Sequence, residues 1–271
     1  MATKPRGRGY AMQANKAGQP LRRPAESGLK QRFGDNFQIN NTEKKEDPID
    51  SLCSKIVKMG LSNPEKELAV IEKDVLSLCD SQDGLSSFVD KIVTHGLESQ
   101  WNAHAVASFC VSYGDVAVEN IKLRTMLLRK LQKIYTEREN SYLTLDKFLM
   151  DVRFLCEIFF HVKIDGNCIQ VLSRPVLDVL GMLVDGGSEK EIEVVYEQFP
   201  KCFASLKANN SDGLNNFLDK IRQQLLSDDI PISARTMLLE MFELILCDGK
   251  LISDVEKFYK SQSISVVRMC K

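Results

Sequence analysis

The sequence holds only three histidines, His95, His104 and His161, and none stands in a triad-like or H-E-x-x-H arrangement. No Walker A loop is present. The eight cysteines, at 53, 79, 110, 156, 168, 202, 247 and 270, are scattered. They make no C-x-x-C pair and have no histidine nearby in sequence, whereas a zinc site needs clustered ligands. No apolar run approaches the roughly 18–20 residues that span a bilayer. The basic N-terminus lacks the apolar segment of a secretory signal. Strand-like alternation is nearly missing. These absences exclude most enzyme classes, so no catalytic residue, cofactor or metal is expected. They imply reduced, buried thiols in a protein of the cytoplasm, or also of the nucleus. Gly186-Gly187 can be read as an anion site at a helix N-terminus. Glu189 and Glu191 just after it would repel a phosphate, and a plain turn is the simpler reading.

Hydrophobic residues make up 44% of the 271, enough for a core, and the net charge is −1. That total hides an asymmetry. Residues 1–46 carry ten Lys/Arg against four Asp/Glu, and the remainder carries 26 against 33. A basic tail therefore precedes an acidic body. The tail is rich in Gly, Pro, Gln and Asn, and its few large apolar residues show no period. It cannot bury enough surface to offset its ordering entropy, so disorder is expected over 1–46. Lys4-Pro-Arg-Gly-Arg-Gly-Tyr10 resembles short Arg-Gly RNA contacts, which makes Arg6 and Arg8, with Arg22 and Arg23, candidate RNA ligands. A solubilising tail is the alternative.

From Asp47 onward the pattern is helical. Asp47-Pro48 and Asn63-Pro64 read as helix starts. Further helices are expected near 84–95, 101–113, 119–138 and 143–162, then from Ser173, Ser188, about 212 and Ser233. Leu123, Leu127, Leu131 and Ile134 recur at helical spacing, as do Phe148, Val152, Leu155, Phe159 and Val162. Arg153 and Glu157 are spaced for an i,i+4 pair on a wet face, as are Lys133 and Glu137. Pro200 is expected to kink or break its helix before Phe203. Taken in pairs, the ten helices repeat at about 40 residues, the period of HEAT-like hairpins. Each hairpin is too thin to bury its own apolar face, so neighbours must stack. The expected fold is an all-α HEAT-like solenoid of five antiparallel pairs over 47–250. A C-terminal extension, 251–271, follows.

The order Leu127-Leu-Arg-Lys-Leu-Gln-Lys-Ile-Tyr-Thr-Glu-Arg-Glu139, then Val152-Arg-Phe-Leu-Cys-Glu-Ile-Phe159, then Pro175-Val-Leu-Asp178 resembles the middle domain of eukaryotic initiation factor four-gamma and its relatives. The short single-domain members, such as the histone stem-loop-binding-protein-interacting protein, are the nearest in pattern. The likeness is best over about 119–247, and its motifs are mostly core residues, which identify a fold better than a function. Relatives often follow the last helix with Arg and Trp, where this chain has Cys247-Asp-Gly-Lys250. The resemblance implies a non-catalytic adaptor in mRNA translation. The partners it implies are initiation factors, a DEAD-box RNA helicase and an mRNA-bound protein (the histone stem-loop-binding or poly(A)-binding protein). A homodimer is also implied.

Two surfaces stand out as candidates. The helix over 119–138 carries Lys122, Arg124, Arg129, Lys130, Lys133 and Arg138, a basic set in an acidic body. It reads either as a solvated face or as a patch for RNA or an acidic partner. The helix from Ser233 is apolar almost all round over Met237–Leu246, so it needs cover on more than one face. Either the 251–271 segment folds back through Leu251, Ile252, Val255 and Phe258, or Met237, Met241 and Leu244 meet a dimer mate or partner.

Overall fold

The structure is a computed structural model that describes residues 47–59, 71 and 73–269. All of these lie in one compact unit, 45–271. The expected disordered tail, with Arg6, Arg8, Arg22 and Arg23, falls outside the described residues, as does the helix start at Asn63-Pro64.

The helices are α1 (Pro48–Met59), α2 (Gln82–Gly96), α3 (Gln100–Tyr113), α4 (Leu123–Thr136), α5 (Arg138–Tyr142), α6 (Leu145–His161), α7 (Ser173–Gly186), α8 (Glu189–Asn209), α9 (Ser211–Leu225), α10 (Ile232–Leu246) and α11 (Ser253–Met269). Residues 73–78 are also helical. Side-chain caps open several of them. Asp47 Oδ1 accepts the Ile49 N–H at 2.9 Å, and Ser81 and Ser99 accept from Gly84 and Asn102. Ser188 and Glu191 form a reciprocal capping box on α8, which satisfies two orphan donors at once. Ser173 and Ser233 do not cap as expected. Leu172 and Pro231 hold those positions. The Ser173 hydroxyl is buried without a partner among the described residues, and the Ser233 hydroxyl donates to Glu189 across to α8.

Two layers result. In one, α1, α3, α6, α8 and α10 pack successively; in the other, α2 lies on α4 and α7 on α9. Polar rungs tie α6 to α8 and α8 to α10 at a common offset. Arg153 to Glu197, Glu157 to Lys201, Tyr196 to Glu240 and Glu189 to Ser233 are each 44 residues apart. That offset is the helical-hairpin repeat. The core runs through both layers, with Phe88, Phe148, Phe154, Phe159, Phe199 and Phe217 all buried. Each such side chain contributes about 1.5–3 kcal/mol by leaving water. Gly96 is a point of closest approach, because a Cβ there would lie 2.6 Å from the Phe154 ring.

Four expectations need correction. The helix expected over 119–138 starts only at Leu123, and a hairpin of β1 (Ala117–Val118) and β2 (Ile121–Lys122) precedes it. Glu119 and Asn120 take positive φ, 49° and 66°, the geometry of a two-residue hairpin turn. A second hairpin, β3 (Lys163–Ile164) with β4 (Asn167–Cys168), turns at Asp165-Gly166. Pro200 does not break α8, which continues from Glu189 to Asn209. Phe199, Cys202 and Phe203 are all buried beside it, so tertiary packing outweighs the lost backbone bond. The Arg153–Glu157 pair does not form. Glu157 is 1% exposed and faces other helices, while Arg153 bonds Glu197 at 3.1 Å. An inner-layer helix such as α6 has neighbours on both sides, so an i,i+4 face is not a wet face. The Lys133–Glu137 pair is also absent; Glu137 instead ends α4 through its N–H to the Lys133 carbonyl.

The C-terminal segment folds back as α11 on α10. The covering residue is Tyr259, 2% exposed, whereas Phe258 and Ile252 face solvent and Leu251 and Val255 are half-buried. The linking turn needs Gly249 at φ 83°, where a Cβ would also strike the Phe203 ring.

Candidate functional site

α4 presents its apolar face, Leu123, Leu127 and Leu131, to the core, which leaves its charged face outward. Most of the candidate basic set is already paired. Lys122 sits on β2 and bonds Asp115 at 2.8 Å, and Arg124 reaches the same carboxylate at 3.0 Å. Those cations hold the Asp115 carboxyl below its usual range, chiefly through the Lys122 hydrogen bond. Lys130 pairs with Asp90 on α2. Arg138 lies 4.4 Å over the Tyr135 ring and touches Glu139. Among the described residues two cations of the set have no carboxylate partner, and both are exposed on the same side of α4: Arg129 and, one turn on, Lys133. Among the described residues Arg129 has only the Met126 sulfur at 3.5 Å.

Arg129 borders a groove, and Lys133 lies one turn further along α4. Between α4 and the 170–175 segment lies a cavity of about 480 Å³ lined by Leu128, Arg129, Leu131, Gln132, Tyr135, Leu155, Val171, Leu172 and Pro175, with Thr125. Its floor is apolar, and Val171 stands 73% exposed on the rim. Tyr135 closes one end by donating to Asp178 Oδ2 at 2.5 Å. Burial and that bond raise the phenol's pKa, so the wall stays neutral. Further along the same layer a second cleft of about 570 Å³ contains Arg138, Arg174, Asp178 and Lys220. There each cation has an acidic neighbour, in Glu139, Asp178 and Asp185. The first groove thus combines apolar surface with uncompensated positive charge, and the second is balanced. Neither groove brings together a nucleophile and a base.

The other candidate surface is partly internal. Met241 is 1% exposed and belongs to the core, so it is not available to a partner. Met237 and Leu244 are half-buried. The exposed apolar residues nearby are Leu239, Leu246, Ile252 and Phe258. No helix among the described residues is long and apolar enough to cross a membrane.

No protein-family model matches the chain. Individual proteins do. It is 27% identical over 188 residues to MIF4G domain-containing protein A of Danio rerio, covering 66% of this chain and 86% of that protein. The Mus musculus MIF4G domain-containing protein matches at the same identity over 84% of its length. A CBP80/20-dependent translation initiation factor of Xenopus tropicalis matches at 23% over 216 residues, 37% of its own length. Stacked helical hairpins with polar rungs and open grooves define an α-solenoid of the kind that binds other proteins along its layers. The chain is thus similar to MIF4G domain-containing proteins over about two thirds of its length.

Proposed function

We propose that this chain is a non-catalytic adaptor in mRNA translation and that the groove between α4 and the 170–175 segment docks a protein partner. Similarity to MIF4G domain-containing proteins and to a translation initiation factor supports a translation-related role. The observation that carries the docking assignment is Arg129, which has no carboxylate partner among the described residues and stands beside an apolar floor, with Lys133 one turn on. A groove of that kind suits a peptide or helix with apolar anchors and acidic flanks. The partners we infer are initiation factors, a DEAD-box RNA helicase, or an mRNA-bound protein of the histone stem-loop-binding or poly(A)-binding type, in the cytoplasm or also the nucleus. Holding two of them at once raises their mutual effective concentration. A homodimer contact, if used, falls to the exposed apolar residues around Met237 and Leu244.

Direct RNA binding is the competing reading. Lys122, Arg124 and Lys130 are held by Asp115 and Asp90, which weakens the α4 set as a patch for phosphates. RNA binding would then fall to Arg6, Arg8, Arg22 and Arg23. Affinity of the full chain for a single-stranded RNA, measured against salt, separates the two. A steep slope supports phosphate contacts; no binding at low salt leaves protein docking alone.

A further inference from the structure

The Glu157 carboxylate is surrounded by basic groups from three helices. Lys201 Nζ, from α8, holds Oε1 at 2.5 Å. Two imidazole nitrogens converge on Oε2, His161 Nε2 at 3.2 Å and His104 Nδ1 at 3.3 Å. Glu157 and His161 are one turn apart, so a single face of α6 offers both. His104 comes from α3, which packs along α6. The two rings meet nearly edge to face, centroids 4.7 Å apart at 78°. The three donor atoms lie within 4.8 Å of one another.

We propose that His104, Glu157 and His161 form a binding site for a divalent transition metal of the zinc class. Tetrahedral zinc with ligand bonds of 2.0–2.2 Å places neighbouring ligand atoms about 3.3–3.5 Å apart. The two observed nitrogen–oxygen separations sit at that edge length, and the two imidazole nitrogens, within 4.8 Å of each other, would close on a shared ion by rotation of the rings. Two imidazoles with one carboxylate is a set that favours zinc over magnesium or calcium, which take oxygen ligands. Lys201 occupies the other carboxylate oxygen. There it acts as an outer partner that orients the ligand. A fourth position opens to a cavity of about 270 Å³ beside Trp101 and Gln100, room for water or a partner's side chain. The ion would brace α3 against α6. The cysteine spacing gives no hint of this site because its donors are not cysteines, and His104 lies 53 residues from Glu157 along the chain.

The test is a cobalt(II) titration of the chelator-treated full chain in a non-coordinating reductant, followed by zinc displacement. The expected result is one cobalt per chain, with visible d–d bands and no sulfur-to-metal charge-transfer band. His104→Asn, at a half-exposed ring, should weaken binding by about tenfold or more. His161→Asn should do the same, with helicity by circular dichroism confirming that both variants fold. Absent cobalt binding, binding unchanged in His104→Asn, or a charge-transfer band marking the cysteines as the ligands would each overturn the proposal. In the first case the cluster is a set of hydrogen-bonded ion pairs only.

Discussion

Lowering the pH in a chelating buffer should remove a defined part of this fold's stability through Glu157. Burial alone would push that carboxyl up, but the hydrogen bonds from His161 and Lys201 outweigh it and set its pKa at about 2, below the ordinary 4.5. A carboxyl held lower in the folded than in the unfolded state stabilises the fold above the unfolded value. That stability is lost as pH falls toward the folded value. The shift corresponds to about 3 kcal/mol at pH 7, of which about 2 kcal/mol is gone by pH 3. Many carboxylates titrate in this range, so the assay is a difference. Urea unfolding of wild type and Glu157→Gln is compared at pH 7 and pH 3. The wild-type advantage should be a few kcal/mol at pH 7 and should shrink by about 2 kcal/mol at pH 3. An advantage that is the same at both values, or that grows in acid, would refute the assignment of Glu157 as an ionised, triply bonded group.

Three other substitutions probe the packing. Gly96→Ala sets a Cβ against the Phe154 ring and should cost about 1–3 kcal/mol despite the better helix propensity of Ala, read as a lower urea midpoint. Gln198 is fully buried, with no partner for its amide among the described residues. Gln198→Met should therefore stabilise by about 1 kcal/mol, raising Tm by about 2–4 °C; a lower Tm would mean that the amide is bonded. Tyr259→Ala uncovers α10 and should cost about 3 kcal/mol, with greater dye binding by the newly exposed apolar surface, whereas Phe258→Ala should be nearly neutral.

Much of the scaffold was legible because helical periodicity reports burial. Leu85, Phe88, Val89, Ile92 and Val93, read as one stripe, are all buried, and the repeat near 40 residues matches rungs 44 apart. The hairpin at Asp165-Gly166 carried a standard turn signal that the helical pattern around it masked. The one at Glu119-Asn120 carried a weaker signal, since neither residue is Gly. The charge arrangement was not legible. Local rules pair Arg153 with Glu157 and Lys133 with Glu137, but stacking offers partners a full repeat away, and these win for Arg153. The groove was hidden in a related way: the hairpin before α4 brings Asp115 to Lys122 and Arg124, and stacking brings Asp90 to Lys130, while among the described residues no carboxylate meets Arg129 or Lys133. The Glu157 cluster needed three helices to assemble: the i,i+4 spacing of Glu157 and His161 was readable, but His104 and Lys201 reach them only through stacking.

The central claim is that an adaptor surface lies on α4 beside the apolar groove. The most direct measurement is affinity capture from RNase-treated cytoplasmic extract with the full chain and with Arg129→Glu/Lys133→Glu, quantified by mass spectrometry. The account predicts that wild type retains initiation-factor subunits, a DEAD-box helicase or an mRNA-bound translation regulator, and that the exposed double variant, equally folded, loses at least one of them by about tenfold, as reversing charges at an interface should. Equal recovery of those proteins by both chains, or recovery that vanishes with RNase, would contradict it.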